Sequence, residues 1–478
     1  LIYRKTPFTS AILEMIQGYY AKMPMKRENR NGINMGLTDP DLSIILPCLR
    51  EAENLSILLP ELKRELAALN ISSEIIVVDG NSGDGTVECC AAEGVRCVIE
   101  PQPGYGAALL RGFQEARGRY LLTMDADLSH PARFIRNLWD NRGLADILIA
   151  SRYIKGGGAA QPWLRLLLSR VLNAVFGWLF QLGPRDLSSG FRLYRAEALR
   201  TLRPAHQNFA VLIELLFLAL EKGYSVAEVP FYYEPRKTGS SHARLIAFGL
   251  EYLRLIWEKW RVRRSIEFPD YDWRAHDSII PLQRYWQRKR RRIIRDFVPP
   301  GALVCDIGCG SGRLLTDFDR PVGVDIRFDK LRFMRGRMRQ GALVQGDGMA
   351  LPFADASFDT VVSSEIIEHI PDENGHHIDE CLRVLKPGGM LVLGTPDYGS
   401  WQWPLIEWLY ARLAPGAYAH EHVNPYTRDR LIRALTERGC EILAEDTICR
   451  AELILKCRKD PSAHPSQRHK NEKRDARF

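Results

Sequence analysis

The chain has 478 residues, enough for two or three domains, and its 46% apolar and 26% charged content is ordinary for a soluble protein. No run of about 20 uncharged apolar residues exists, which excludes a transmembrane helix, and no signal peptide is evident. The ten cysteines have neither zinc-ligand spacing nor a disulfide framework, so they read as reduced thiols of a cytosolic protein. The net charge of +8 is uneven. It gathers in residues 261–264, residues 288–292 and the tail after Cys457, which suit either phosphate groups or solvated helix faces.

Residues 1–38 read as an N-terminal extension, with Met25 or Met35 as alternative starts. Residues 42–46 form an apolar strand closed by Pro47, and a helix runs from Glu51 to about Leu69. A second strand, residues 74–78, ends at Asp79 and turns through Gly80, Ser82, Asp84 and Gly85. Residues 96–99 form a third strand, and a helix opens at Gly104-Tyr105-Gly106. Residues 120–124 form a buried strand that ends abruptly in Asp125-Ala126-Asp127. A fifth strand, residues 147–150, leads into Ser151-Arg152-Tyr153 and a glycine run. This alternation predicts βαβ units and a largely parallel sheet, with ligands at the carboxyl ends of its strands.

Two ionised carboxylates side by side are costly to bury unless a cation neutralises them. Asp125 and Asp127 therefore suit Mg²⁺ or Mn²⁺ and, with it, a diphosphate, although such a strand end also occurs as a plain turn. Pro47, Asp79 and Asp125 all fall at the same sheet edge. An arginine such as Arg152 could offset the charge of a leaving diphosphate.

Taken in order, Ser43 to Pro47, Glu51 to Leu55, Val78-Asp79, Asp84-Gly85-Thr86, Gly104 to Ala108, Met124 to Pro131, Ser151 to Tyr153 and Asp186 to Arg195 resemble glycosyltransferase family 2. The match is nearest the polyprenyl- and dolichyl-phosphate mannose synthase group. The resemblance implies a GT-A fold over residues 39–262 and transfer of a hexose (mannose or glucose), with inversion, from a nucleotide-diphosphate sugar to a polyprenyl phosphate. It implies a donor pocket of Pro47, Leu49, Glu51, Val78, Asp79, Gly80, Asp125, Ala126, Asp127, Arg152, Arg236 and His242, with Asp127 and Arg152 catalytic and Asp125 and Asp127 holding the metal. Three positions depart from the pattern. Gly80 stands where an Asp is common, Leu49 where a Tyr is frequent, and His242 where a Lys usually follows Gly239-Ser240-Ser241. A phosphate acceptor is already an anion near neutrality, so no general base is needed.

The helix of residues 163–180 is strongly apolar but interrupted by Arg165, Arg170 and Asn173, which suits a bilayer interface rather than its interior. Residues 209–220 suit a buried helix, and Leu245 to Trp260 carry an apolar stripe that fits an interface or a sheet. These features suggest a cytoplasmic protein held peripherally at an anionic membrane surface.

Residues 263–279 read as a polar, aromatic linker, followed by a basic helix over residues 282–297. Residues 302–312 are a strand entering a glycine-rich turn, and residues 322–325 a strand ending in Asp325, spaced to bind ribose hydroxyls. With Gln345 to Phe353, Ser357 to Val362, Glu365 to His369 and Leu385 to Leu391, they resemble class I S-adenosyl-L-methionine methyltransferases. That resemblance implies a second Rossmann-like domain with a seven-stranded sheet over residues 280–456. Its cofactor site would comprise Asp306, Gly308, Gly310, Asp325, Ile326, Asp347 and Met349. On the acceptor side, Glu365, Glu368, His369, His420, Glu421 and His422 include candidates for a general base, with His422 the choice. The methyl acceptor would be a small molecule, a sugar or a lipid-linked glycan. Residues 457–478 read as a disordered basic tail.

Two other readings of the first domain stay open: transfer to a polysaccharide or protein hydroxyl, with Asp186 the one visible base, or a decayed, non-catalytic module that docks the methyltransferase on membranes. No aromatic-basic motif indicates nucleic acid. Oligomeric state cannot be read from the sequence.

Overall fold

The structure, a computed structural model, describes residues 39–160, 163–234, 259–260, 262–263, 265–372, 374–413 and 422–462. The N-terminal extension, Arg236, His242, His420, Glu421, nearly all of the 245–260 stripe and most of the tail lie outside the described residues. The chain divides between residues 263 and 264 into two compact units.

In the first unit the strands are β1 (Leu42–Cys48), β2 (Ser73–Asp79), β3 (Arg96–Ile99), β4 (Tyr120–Thr123), β5 (Ile147–Ser151), β6 (Gly158–Ala159), β7 (Arg192–Arg195), β8 (Val226–Pro230) and β9 (Tyr232–Tyr233). Seven make one sheet in the order β3-β2-β1-β4-β7-β5-β8, while β6 and β9 pair separately. β7 runs antiparallel to both its neighbours, and the other pairings are parallel. Strand β1 is largely apolar and wholly buried because both faces are covered. Leu42, Ile44 and Leu46 enter one core while Ile45 enters the other. Parallel register sets Cys48 opposite Asp79 and Ile45 opposite Thr123, so the acids that follow emerge at a common edge.

The Asp186–Arg195 motif owes much of its character to packing. Arg192 is fully buried and donates to the carbonyls of Ser189, Leu212 and Leu187, each at 2.7 Å. Glu214, the buried acid of the apolar helix Val211–Glu221, accepts from the backbone of Ala205 (3.0 Å) and His206 (2.9 Å). That loop presses on the start of the helix Tyr105–Glu115. A Cβ on Gly104 would lie 2.3 Å from the Gln207 carbonyl oxygen, and Gly104 has φ +127°. These glycines therefore serve close packing.

The second unit carries β10 (Leu303–Ile307), β11 (Arg320–Asp325), β12 (Ala342–Gln345), β13 (Phe358–Ser364), β14 (Leu385–Pro396), β15 (Cys440–Ile448) and β16 (Glu452–Lys459). The order is β12-β11-β10-β13-β14-β16-β15, with β16 antiparallel to both neighbours.

Three expectations need correction. The tail does not begin at Cys457, because residues 457–459 complete the inner strand β16. Cys457 packs in the core, and Lys459 donates to the Leu382 and Leu385 carbonyls at 2.7 and 2.8 Å. Nor are residues 265–279 a free linker. They contain a helix, Tyr271–Ala275, bonded to the glycine-rich turn. The basic run 288–292 is mostly neutralised within its own unit. Arg288 pairs with Asp277 (2.8 Å), Arg290 with Glu452 (2.6 Å) and Arg291 with Asp317, so little of it is left for phosphates.

Candidate active sites

At the edge of the first sheet, β1 and β2 deliver Pro47 and Asp79, and the loops beyond them lock together. Asp79 is 2% exposed and accepts from the backbone N–H (2.9 Å) and hydroxyl of Ser82. Ser82 Oγ in turn accepts from the Arg50 N–H at 2.7 Å, and Asp84 from the Ala52 N–H at 3.1 Å. A Cβ on Gly80 would lie 3.1 Å from the Leu49 side chain, so the two departures from the family pattern occupy one another's space. Glu51 accepts from Asn54 at 2.6 Å, Val78 is buried and Leu49 is half exposed.

β4 ends at Thr123, and the Asp125-Ala126-Asp127 turn follows. Asp127 is buried and accepts from the Ser129 N–H (3.1 Å) and hydroxyl, and Ala126 packs inward. The Asp125 N–H donates to His130 Nδ1 at 2.9 Å, and Tyr105 donates to its carboxylate at 3.4 Å. His130 is itself walled by Phe191, Phe231 and Tyr233. A Cβ on Gly190 would come within 2.7 Å of the Tyr105 hydroxyl and 3.3 Å of the Asp125 carboxylate, which accounts for glycine there. Arg152 is not a loose cation. Its Nε and Nη2 fork onto Asp186 at 2.7 and 2.6 Å, its N–H adds a third bond at 3.0 Å, and Asp186 is fully buried.

In the second unit a cavity of about 650 Å³, a volume typical of small-ligand sites, is lined by Asp306, Gly308, Gly310, Asp325 and Ile326 on one side and by Glu365, His369 and His422 on the other. Gly308 (φ +64°) and Gly310 (φ +51°) adopt left-handed backbone. Asp325 accepts from the Gly310 N–H (2.7 Å) and the Arg327 N–H (2.8 Å), so the carboxylate expected at the ribose also ties the turn to β11. Burial and then the Asp325 charge push the Asp306 pKa up to about 8. Burial is also the main force raising Asp325, partly offset by its backbone donors and Lys330. Asp347 accepts from the Met349 N–H at 2.9 Å, but neither residue lines the cavity.

Residues that the motifs did not reveal complete this site. Asp272 accepts from the Ser311 N–H and hydroxyl, both at 3.1 Å, and from Lys330 at 3.2 Å. Arg290 bridges Glu452 and Glu365, the latter at 3.0 Å. Trp286 also donates to Glu452. His422 sits beside His369 (ring centroids 4.8 Å apart), stacks on Trp403 and hydrogen-bonds Tyr398 through Nδ1. Burial and then the His369 charge push the His422 pKa down to about 4. It is therefore neutral near pH 7 and a weak base, which counts against the role first expected of it.

The Glycosyl transferase family 2 model matches residues 43–203 and the Methyltransferase domain model residues 305–393. A polyprenol monophosphomannose synthase from Mycolicibacterium smegmatis is 32% identical over 46% of this chain and 88% of its own length. The chain belongs to glycosyltransferase family 2, joined to a methyltransferase domain. A dolichol-phosphate mannosyltransferase from Pyrococcus furiosus is 34% identical to this two-domain enzyme, over 48% of this chain and 67% of its own length. A SAM-dependent methyltransferase structure from Methanosarcina mazei superposes on 35% of the present enzyme and 97% of that chain, with 22% identity and a TM-score of 0.30.

Proposed function

We propose that the first domain transfers a hexose, with inversion, from a nucleotide-diphosphate sugar to a polyprenyl phosphate, and that the second methylates an acceptor using S-adenosyl-L-methionine. The observation that carries the first half is the likeness to the polyprenol and dolichol-phosphate mannosyltransferases, with a family model that spans the strand-end acids. Asp125 and Asp127 offer two hard oxygen donors one residue apart on a backbone pinned by His130 and Ser129, and this donor set fits Mg²⁺ or Mn²⁺. Such an ion supplies charge neutralisation for the leaving diphosphate. Pro47, Glu51, Val78 and Asp79 line the donor side, joined by Leu49, Gly80 and Ala126, and Arg236 and His242 are proposed to face the donor phosphates.

The Arg152–Asp186 pair favours a phosphate acceptor. Asp186 is consumed by Arg152 and cannot readily deprotonate a hydroxyl, so it does not supply the base that a polysaccharide or protein acceptor would require. Arg152 then acts mainly by holding Asp186 and Ser188 in place beside the site. The exposed stripe of Trp163, Leu167, Val171, Val175 and Trp178 on the helix Trp163–Phe180 supports attachment to an anionic membrane surface. Among the described residues no helix is long and apolar enough to cross a membrane.

In the second domain Asp306, Gly308, Gly310 and Asp325, with Ile326, Asp347 and Met349 beyond them, are proposed to hold S-adenosyl-L-methionine, whose sulfonium supplies an activated methyl group. Left-handed glycines beside two buried acids fit this group. The test is a panel of radiolabelled nucleotide sugars with polyprenyl phosphate, scored for organic-phase product with and without S-adenosyl-L-methionine. A labelled, mild-acid-labile lipid is expected from one donor. Product only on a neutral glycan would overturn the acceptor.

A further inference from the structure

Glu368, His369 and His422 place one ligand atom each within 4.8 Å of one another. Glu368 is fully buried, and its Oε2 accepts from Thr395 at 3.1 Å, while its Oε1 has no hydrogen-bond partner. A buried carboxylate oxygen left without a donor is costly and calls for an explanation. The surroundings are built to hold this cluster. The Glu368 carbonyl accepts from the Val423 (2.9 Å) and Asn424 (3.1 Å) N–H groups, which staples the chain after His422 to the β13 end. Tyr398 and Trp403 fix the His422 ring through a hydrogen bond and a stack. A partner that orients a ligating histidine in this way is the usual support of a metal ligand.

We infer that Glu368, His369 and His422 bind a first-row divalent cation, Zn²⁺ foremost, on the acceptor side of the methyl-transfer cavity. Two imidazoles and one carboxylate are the donor set of open zinc sites, which keep a further position for a substrate oxygen. Ligands about 2.1 Å from a tetrahedral ion stand about 3.4 Å apart, so the two rings turn inward on loading. His369 and His422 also line the cavity that holds Asp306 and Gly308, so the open position faces the methyl donor.

This inference rests on the methyl-transfer reading and names its acceptor class: a hydroxyl compound. The acceptor hydroxyl, bound to the ion, gives its proton to solvent. Its oxygen then forms the bond to the methyl carbon as the sulfonium–methyl bond breaks, and that electron pair returns to sulfur.

The test uses the full chain carrying Asp125→Asn and Asp127→Asn, so that the first domain's acids do not contribute. After chelation, the protein is titrated with Zn²⁺ by calorimetry and with Co²⁺ by visible absorption. One equivalent is expected, with a cobalt d–d band and no thiolate charge-transfer band. Adding His422→Ala or His369→Gln should weaken binding at least 100-fold while the affinity for S-adenosyl-L-methionine, which reports an intact cavity, stays unchanged. Absence of bound metal, a thiolate band, or unaltered affinity in a variant that still binds the cofactor would overturn the site. Cofactor binding without zinc removes the metal and leaves the methyl-transfer reading standing. Zinc binding without cofactor removes that reading, and the hydroxyl acceptor with it.

Discussion

The two sheets put acids at the same kind of edge but treat them differently. In the first domain Asp79, Asp84 and Asp127 are held by backbone N–H groups and serine or threonine hydroxyls. Donors outweigh burial at Asp84 and lower its pKa. In the second domain Asp306 and Glu368 are buried, and burial above all pushes each up to about 8. The first edge fixes the positions of its acids through donors from the neighbouring loops. The second buries Asp306 and Glu368 so that each holds its proton more tightly than a solvated carboxylate.

The most severe way to break this contrast is at Asp125 and Asp127. Replacing either with Ala should lower hexose transfer by roughly 10²–10³-fold, the scale of losing a key electrostatic contact, and leave cofactor affinity in the second domain unchanged. A radiometric transfer assay beside a cofactor titration reads both. Next comes the buried pair. Asp186→Asn should leave Arg152 without its counter-charge and cost about 3–5 kcal/mol in denaturant unfolding of the first domain, whereas a pure catalytic role predicts unchanged stability.

Smaller effects are expected at the surface. Trp163→Glu with Trp178→Glu should weaken sedimentation with anionic vesicles about tenfold or more and leave the melting temperature unchanged, because the two side chains are 74% and 70% exposed. The smallest concerns pH. Asp306 has its folded pKa raised from 3.8 to about 8, so between those values the native state binds more protons than the unfolded state. Its contribution to stability is therefore greatest at low pH and is lost as pH rises through about 8, with a slope of at most about 1.4 kcal/mol per unit. Asp306→Asn should flatten the decline of second-domain stability between pH 5 and about 8, followed by thermal melts. An unchanged slope would show that the buried acids are already relaxed.

Much of this was legible because local rules and global fold agree. Apolar runs ending in Asp79, Asp125 and Asp325 announce strands that stop at a ligand edge, and the helix Trp163–Phe180 begins and ends where its composition changes. What escaped depends on partners remote in sequence. Arg290 looked like one more surface cation, yet it meets Glu452 162 residues away. Arg152 looked like a phosphate ligand because nothing local announces the Asp186 fork. The end of β16 reads as tail because Lys456, Arg458 and Lys459 make a strand look solvated. Its inward-facing residues, Leu453, Leu455 and Cys457, carry the opposite message.

The helix Tyr271–Ala275 bears on how the enzyme can be taken apart. A methyltransferase fragment cut at residue 280, the boundary that composition alone suggests, would discard Asp272. Lys330 would lose its ion-pair partner there, and the Ser311 backbone its acceptor. A fragment beginning near residue 265 keeps both, so the position of that one cut decides whether the isolated half retains a formed cofactor turn.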